Sequence, residues 1–129
     1  MPVEEALTAL LAGVAGGRRY WGRAEHVSPS AGPYLRLVKV SAPRDYALSG
    51  ATGYVEARFQ IDVFAESYGA AKTTAEAVLS TLSGYSGETA GVYILGIFID
   101  AERDLDATDA GEVSHLFRRS IDIIVHHHE

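Results

Sequence analysis

The stretch EARFQIDVFAESYGAA (residues 56–71) decides the fold, because its first half alternates apolar and polar side chains almost without error. A period of two is typical of a β-strand with one buried and one presented face. We therefore predict a strand over residues 54–65. Its inner face consists of six apolar residues: Val55, Ala57, Phe59, Ile61, Val63 and Ala65. Its outer face carries Glu56, Arg58, Gln60 and Asp62. The alternation alone does not distinguish whether this polar row is a reaction site, an ordinary solvated face or a surface that binds a partner.

Helical patterns lie on both sides of this strand in the sequence. Residues 2–15 carry apolar side chains at i, i+3, i+4 and i+7, namely Leu7, Leu10, Leu11 and Val14. Residues 68–82 carry a second apolar stripe, formed by Ala71, Ala75, Val78, Leu79 and Leu82. Both segments are predicted to be amphipathic helices that pack on the sheet.

Four more strands complete the prediction, at residues 18–24, 34–41, 92–99 and 114–126. The run VYILGIFI at 92–99 is nearly all apolar, which favours burial on both faces. In the last strand Phe117, Ile121, Ile123 and Val125 are expected to face inward, and Ser120, Asp122 and His126 outward. Residues 41–53 form a long connection in this prediction, and residues 100–112 an acidic loop.

The predicted order α-β-β-β-α-β-β indicates an α+β fold, with two helices packed on a mainly antiparallel sheet. A chain of 129 residues without a linker or repeat is expected to be a single domain over residues 1–129.

Composition excludes several classes of protein. The chain has no cysteine, which excludes disulfides, thiolate metal sites and a cysteine nucleophile. A net charge of −6 argues against a sequence-reading nucleic-acid binder, which would show a basic stripe. No signal-peptide pattern and no apolar run long enough to span a membrane is visible. We expect the chain in the producing cell's cytoplasm, or in an assembly built there.

Charge is distributed unevenly along the chain. Residues 1–60 carry seven Lys/Arg against five Asp/Glu, whereas residues 61–129 carry four against twelve. The two halves therefore sum to +2 and −8. Residues 88–112 alone hold seven acids and one base, Arg103. Such asymmetry can orient subunits in an assembly or repel a polyanion, although a solvated acidic loop would look the same.

No motif for catalysis or for cofactor or metal binding survives inspection. GVAGGRR lacks the Lys-Ser/Thr of a phosphate loop, and GYSG is not a nucleophile elbow. DLDATDAGE at 104–112 misses the calcium-loop spacing. His126 and His128 share a strand face, but a metal site needs further rigidly held ligands. We predict no catalytic residue, no cofactor and no metal.

One outward cluster keeps an alternative open. Asp62, Asp122 and His126 could form the site of a small dimeric enzyme or ligand-binding domain, provided that they line a pocket. Their positions beside Arg58 and Arg118 favour cross-strand ion pairs instead.

The N-terminal half offers an aromatic and basic segment, GGRRYWGRA at residues 16–24. Its Trp and Arg side chains are of the types that concentrate at protein interfaces, and core packing with a basic rim is the other interpretation.

Several runs together resemble the tail-completion, or tail-terminator, proteins of long-tailed phages and gene transfer agents. The runs are EALTALLAG and GGRRYWGRA, then RDYALSGATGYVEARFQIDVFAESYGAAKTTAEAV, GIFIDAERDLDA and LFRRSIDIIVHHHE. They follow one another in the correct order and cover essentially the whole chain. No single one of them is chemically diagnostic.

The resemblance implies a small α+β subunit of the virion that assembles into a ring, usually of six. Such a ring sits on the head-proximal end of the tail tube, stops its polymerisation and docks the head connector or stopper. Double-stranded DNA passes through the channel without specific binding. The family has no catalytic residues to carry over. Another neck component, such as a stopper or connector, is the nearest alternative.

Two surfaces are predicted on this basis. The subunit or partner interface comprises Arg18, Arg19, Trp21, Arg23, Arg44, Asp45, Tyr46, Glu56, Arg58, Gln60 and Asp62. The acidic channel or docking loop comprises Asp100, Glu102, Asp104, Asp106, Asp109 and Glu112.

Overall fold

A computed structural model describes residues 2–22, 33–106 and 117–128. Helix α1 spans Pro2–Leu10 and is followed by a 3₁₀ turn at Ala15–Gly17. The remaining elements are β1 (Arg19–Trp21), β2 (Tyr34–Ser41), β3 (Arg44–Ala47), β4 (Gly50–Ala65), α2 (Tyr68–Leu82), β5 (Gly87–Thr89), β6 (Val92–Asp106) and β7 (Phe117–His128).

The seven described strands form one mixed sheet in the order β1-β2-β4-β7-β6-β5, with β3 paired to the first part of β4. The pairing of β1 with β2 is parallel, whereas every other pairing is antiparallel. Strands β4 and β7 pair without a break from Tyr54↔His128 to Ala65↔Phe117. These two long strands form the centre of the sheet.

The core lies between the helices and one face of the sheet. The predicted inner face of β4 is confirmed, since all six of its apolar residues are at most 2% exposed. All of them except Ala65 belong to one core cluster with Leu7 and Leu11 of the N-terminal segment and with Val78 and Leu82 of α2. Helix α2 has the predicted bounds, and its N-cap Ser67 accepts a hydrogen bond from the Ala70 amide (3.1 Å).

Helix α1 and strand β1 are both shorter than predicted. The helix ends at Leu10 because turns follow it, leading to left-handed backbone at Gly16 and Gly17 (φ 62° and 84°). Leu11 and Val14 are nevertheless buried, since the turns keep the apolar stripe against the sheet. Strand β1 covers only Arg19–Trp21 of the predicted 18–24, of which residues 23 and 24 lie outside the described part.

The predicted order lacked two short strands. The prediction that residues 41–53 form a long connection was wrong. Residues 44–47 form a strand that pairs with the start of β4 through Arg44↔Val55 and Ala47↔Gly50. Strand β4 consequently begins at Gly50 instead of residue 54. Strand β5 was also missed, and it pairs with the start of β6 through Thr89↔Val92.

Strand β6 differs from its prediction in length and burial. It continues to Asp106, through the first part of the expected acidic loop, because it pairs with β7 as far as Asp106↔Phe117. Only one of its faces is covered, so Tyr93 and Phe98 are 55% and 57% exposed, contrary to the expected double burial. Residues 107–116 lie outside the described part, including the predicted first residues of the last strand.

Two residues of β7 lie on the predicted side of the sheet but differ from the prediction in burial. Phe117 is exposed at the edge of the core, where its ring meets that of Tyr68 edge-on (5.9 Å between centroids). Ser120 is fully buried although it lies on the outward side, because Asp62 of β4 and Arg103 of β6 are its register partners on the two neighbouring strands.

Candidate interaction surface

The helices cover one side of the sheet, and within the described residues the other side stays uncovered. We call this second side the open face. It is built from alternate residues of β2, β4, β7 and β6. Its central side chains are Arg36, Val38, Tyr54, Glu56, Arg58, Gln60, Asp62, Phe98, Arg103, Asp122 and His126.

One end of the open face holds a buried charge cluster around Asp62. Its Oδ2 accepts hydrogen bonds from Arg36 Nη2 (2.6 Å) and Arg118 Nη2 (3.0 Å), and its Oδ1 accepts one from Gln60 Nε2 (3.0 Å). The side chain lies on the outward face of β4 as predicted, but its carboxylate is fully buried instead of exposed. Arg36 and Arg118, delivered by β2 and β7, enclose it.

Aromatic rings complete this cluster. Phe64 stacks on Tyr34 (5.0 Å between centroids), and the guanidinium carbons of Arg36 and Arg118 lie 5.4 and 5.8 Å from the Phe64 ring centre. Both arginines are therefore placed for cation–π contact as well as for the ion pair. The arrangement is a packed structural unit with Asp62 at its centre.

The charge state of Asp62 follows from these contacts. Burial alone would raise the pKa of Asp62. Hydrogen bonds from Gln60 and Arg36, and the charge and hydrogen bond of Arg118, outweigh that effect and hold the pKa below its ordinary value. The carboxylate is therefore ionised and satisfied by its own chain, which does not suit a general acid.

Exposed ion pairs occupy the middle of the open face. Arg58 lies 3.6 Å from Glu56 and 3.7 Å from Asp100, and Arg103 lies 2.6 Å from Asp122. Arg58, Asp100, Arg103 and Asp122 line a shallow depression of about 160 Å³, far below the size of ordinary ligand pockets. The predicted cross-strand pairing is confirmed for Arg118 with Asp62, whereas Arg58 pairs with Glu56 and Asp100.

The far end of the open face is aromatic. The His126 ring stacks on Tyr54 (5.8 Å between centroids), hydrogen-bonds the Tyr54 hydroxyl through Nδ1, and meets Phe98 edge-on. Tyr93, Leu95 and Phe98 are 55%, 44% and 57% exposed. We call these three residues the apolar patch, because they are exposed apolar side chains within six residues of strand β6.

The hairpin of β3 and the start of β4 extends past the paired body of the sheet. We call residues 44–53 the arm, since β4 and β7 cease to pair at Tyr54↔His128 and the arm continues beyond that point. Asp45 and Thr52 hydrogen-bond across it (3.0 Å). Tyr46 is 69% exposed and Leu48 is fully exposed at the tip. Three predicted interface residues, Arg44, Asp45 and Tyr46, thus lie on one exposed element.

The N-terminal basic residues have contacts within the chain. Arg18 Nε donates to the Pro33 carbonyl (2.9 Å), and Arg19 Nε donates to the Thr8 carbonyl (2.6 Å). Trp21 Nε1 donates to Thr8 Oγ1 (2.9 Å), and the Trp21 ring meets Phe59 edge-on at 5.8 Å. Trp21 therefore packs against the core, as the alternative interpretation expected. Arg23 lies outside the described residues.

The predicted acidic residues divide between β6 and the undescribed segment. Asp100, Glu102 and Asp104 are exposed side chains of β6, and Asp106 is its last residue. Asp104 accepts hydrogen bonds from Arg119 (2.9 Å) and Tyr68 (2.9 Å), and these two bonds lower its pKa. Glu102 lies 3.5 Å from the same Arg119. Asp109 and Glu112 lie outside the described residues.

The alternative reaction site is not assembled. Asp62 is enclosed by arginines, Asp122 pairs with Arg103, and His126 bonds to Tyr54. Asp122 and His126 are four residues apart on one strand, or about 13 Å at the rise of a β-strand. Among the described residues no group of three or more metal-ligating side chains occurs. No helix within the described ranges is long and apolar enough to cross a membrane.

Sequence patterns missed several residues of this surface. Arg36 was not linked to Asp62, because only the register Arg36↔Asp62 brings β2 and β4 together there. Leu48 and Phe98 were not recognised as exposed. One sequence feature could have indicated the arm: Gly50 and Gly53 lie close together on either side of Ala51 and Thr52, and glycine is common at β-hairpin turns.

Comparison with known proteins gives one family and one fold. The family model described as Tail completion protein gp17 matches residues 5–126. The structure is similar to a chain in a solved structure titled "Virion of native gene transfer agent (GTA) particle", with a TM-score of 0.75 and 19% sequence identity. That alignment covers 99% of this chain and 96% of the other. No curated protein sequence matches significantly.

Proposed function

The chain belongs to the tail completion protein gp17 family, and from this premise we propose that it forms a ring that ends the tail tube. Membership makes it a structural component of a virion tail. In our proposal six copies sit on the head-proximal end of the tube, stop its polymerisation and bind the head connector. The observation that carries this proposal is the family match over residues 5–126, nearly the whole chain.

The open face supports an assembly role. Its charged side chains pair across the strands, Arg58 of β4 with Asp100 of β6 and Arg103 of β6 with Asp122 of β7, and the depression among them holds only about 160 Å³. A small-molecule site needs a deeper cavity with converging polar groups. Exposed aromatic residues such as those at the far end of the open face are enriched at contacts between macromolecules, where charged residues lie at the rim. We infer that the protein acts by binding other subunits and has no catalytic activity.

Charge supports the passage of DNA. The chain carries a net charge of −6, and Asp100, Glu102 and Asp104 lie exposed along β6. A basic channel would bind phosphates and release their counterions, which holds DNA in place. An acidic lining would let the duplex slide. In our proposal β6 and the acidic segment after it face the channel or the docking partner.

Tube polymerisation in vitro tests the proposal. The purified tail tube protein of the same particle would be polymerised with and without this protein, and tube lengths measured by negative-stain electron microscopy. We expect shorter tubes that carry a ring at one end, with a length that falls as the protein is added. An unrelated protein of similar size and charge serves as the control. Unchanged tubes without a terminal ring would refute the proposal, and binding to the connector alone would make the protein a different neck component.

A further inference from the structure

Among the described strands, β6 and β3 each have a backbone edge that pairs with no other strand over part or all of its length. Strand β5 pairs with β6 only from Val92 to Ile94, and Tyr85 bonds to the Ile97 amide (3.1 Å). Past that point no described strand pairs with the outer side of β6, as far as Asp106. Strand β3 is likewise paired on one side only, to β4. Open edges present unpaired N–H and C=O groups that can accept a further strand.

An exposed apolar group accompanies each edge. The arm carries Tyr46 and the fully exposed Leu48. In the apolar patch, Phe98 stands at the start of the open stretch of β6, and Tyr93 and Leu95 precede it on the same strand. Because Leu48 is fully exposed, its side chain buries no apolar area when the monomer folds and so does not stabilise the monomer. Its burial against another surface would remove apolar area from water at about 25 cal/mol per Å². Clustered exposed apolar residues are characteristic of interaction sites.

Charge is opposite at the two ends of the sheet. Arg18, Arg19, Arg36 and Lys39 lie on the β1–β2 side, to which the arm also belongs. Glu88, Asp100, Glu102 and Asp104 lie on the β5–β6 side. The order β1-β2-β4-β7-β6-β5 thus converts the uneven charge of the sequence into a basic and an acidic end. Most of these side chains already have partners within the chain, so it is the net sign of each end that makes the acidic end of one copy complement the basic end of the next.

We propose that neighbouring copies join head to tail, with the arm of one subunit lying along the β6 edge and apolar patch of the next. This inference rests on the proposed ring and names the surfaces that build it. The two surfaces differ, so the contact is heterologous, and heterologous contacts produce a closed ring when the rotation between subunits closes. Strand addition supplies main-chain hydrogen bonds, while Leu48 and Tyr46 supply the apolar contact with Phe98 and its neighbours.

The absence of native cysteine allows a direct cross-linking test. Leu48→Cys and Phe98→Cys proteins would be mixed under assembly conditions and treated with a short bis-maleimide linker. We expect covalent dimers in the mixture and none in either variant alone, because the contact joins unlike surfaces. The double variant should give a ladder that ends at the full ring. Leu48→Cys mixed with Thr73→Cys, on an exposed position of α2, is the matched control and should stay uncross-linked.

Particle mass, measured by light scattering on the same samples without linker, separates the two proposals. One outcome is that rings form but cross-links join only position 48 to position 48, or position 98 to position 98, or do not form. That outcome would overturn the head-to-tail contact without affecting the proposal that the protein forms a ring. No ring even in the presence of tail tube would overturn the ring and this contact together.

A second variant tests the role of the arm without a cross-linking reagent. Leu48→Asp should leave the fold of the subunit unchanged, because Leu48 is fully exposed. We expect it to raise the protein concentration needed for ring assembly at least about tenfold, the equivalent of about 1.4 kcal/mol. A variant that still forms rings at the normal concentration but no longer binds tail tube would overturn the proposal, since the tube would then be the partner of the arm.

Discussion

The two faces of strand β4 show how one sequence pattern serves two purposes. On the covered face, Ala57, Phe59 and Ile61 are at most 1% exposed and hold the helices to the sheet. On the open face, Glu56, Arg58 and Gln60 stay partly exposed, and Arg58 pairs with Glu56 on its own strand and with Asp100 of β6. The covered face stabilises the subunit, whereas the open face presents a surface.

Asp62 is the exception that sharpens this contrast. It lies on the open face two residues from Gln60, yet it is fully buried by Arg36 and Arg118. Asp122 also lies on the open face and also faces an arginine, Arg103, but that pair is exposed. The two aspartates make the same kind of ion pair with arginine, but one is buried and the other exposed. Removal of the two carboxylates should therefore lower the free energy of unfolding by very different amounts.

The largest effect is expected from the covered face. Phe59→Ala removes a fully buried ring that packs edge-on against Trp21, and should lower the free energy of unfolding by about 3–5 kcal/mol. Urea titration followed by circular dichroism measures the change. A loss below about 1 kcal/mol would show that the covered face is not the packed core described above.

The next largest effect is expected at the buried carboxylate. Asp62→Ala leaves Arg118 buried without its partner carboxylate and should cost about 3 kcal/mol, near the low end for a broken buried pair because Arg36 is partly exposed. The matched control is Asp122→Ala, whose exposed pair with Arg103 should contribute at most about 1 kcal/mol. Equal losses for the two variants would contradict the contrast between a structural cluster and a presented surface.

The lowered pKa of Asp62 predicts a smaller, pH-dependent difference. Its contribution to stability is fully present above the unfolded pKa of about 3.9, and is lost as the pH falls through the lower folded value. The stability gap between the native protein and Asp62→Asn should therefore narrow as the pH is lowered below about 4. Thermal unfolding of both proteins at a series of pH values measures this. If the difference in stability between the two proteins stays constant from neutral to acidic pH, the arginines do not stabilise the ionised form of Asp62, which would contradict the prediction.

The sequence allowed the two faces of β4 and the bounds of α2 to be predicted, because period-2 and helical apolar patterns are local. It did not allow the register to be predicted, and the register alone brings Arg36 and Arg118 to Asp62. Strand β3 was missed for a local reason. Its residues RDYA are all exposed and lie between Pro43 and Gly50, which resembles a loop.

Strand β6 shows a second limit. The run VYILGIFI has no polar residue to mark its outer face, so burial on both sides was the natural expectation. Which face the helices cover depends on the whole sheet, and register shifts at Ile94/Gly96 and Ile99/Ala101 alter the alternation. The exposed apolar patch was invisible for the same reason, although it is the most apolar part of the candidate surface.

Arg58→Glu tests most directly the central claim that the open face serves assembly and the covered face serves folding. The variant replaces the partly exposed cation that faces Glu56 and Asp100 with a third acid. We predict that its free energy of unfolding changes by no more than about 1 kcal/mol, while rings fail to form on tail tube. Unfolding titrations and light scattering on one preparation measure both quantities. A variant that forms rings as the native protein does would contradict the account.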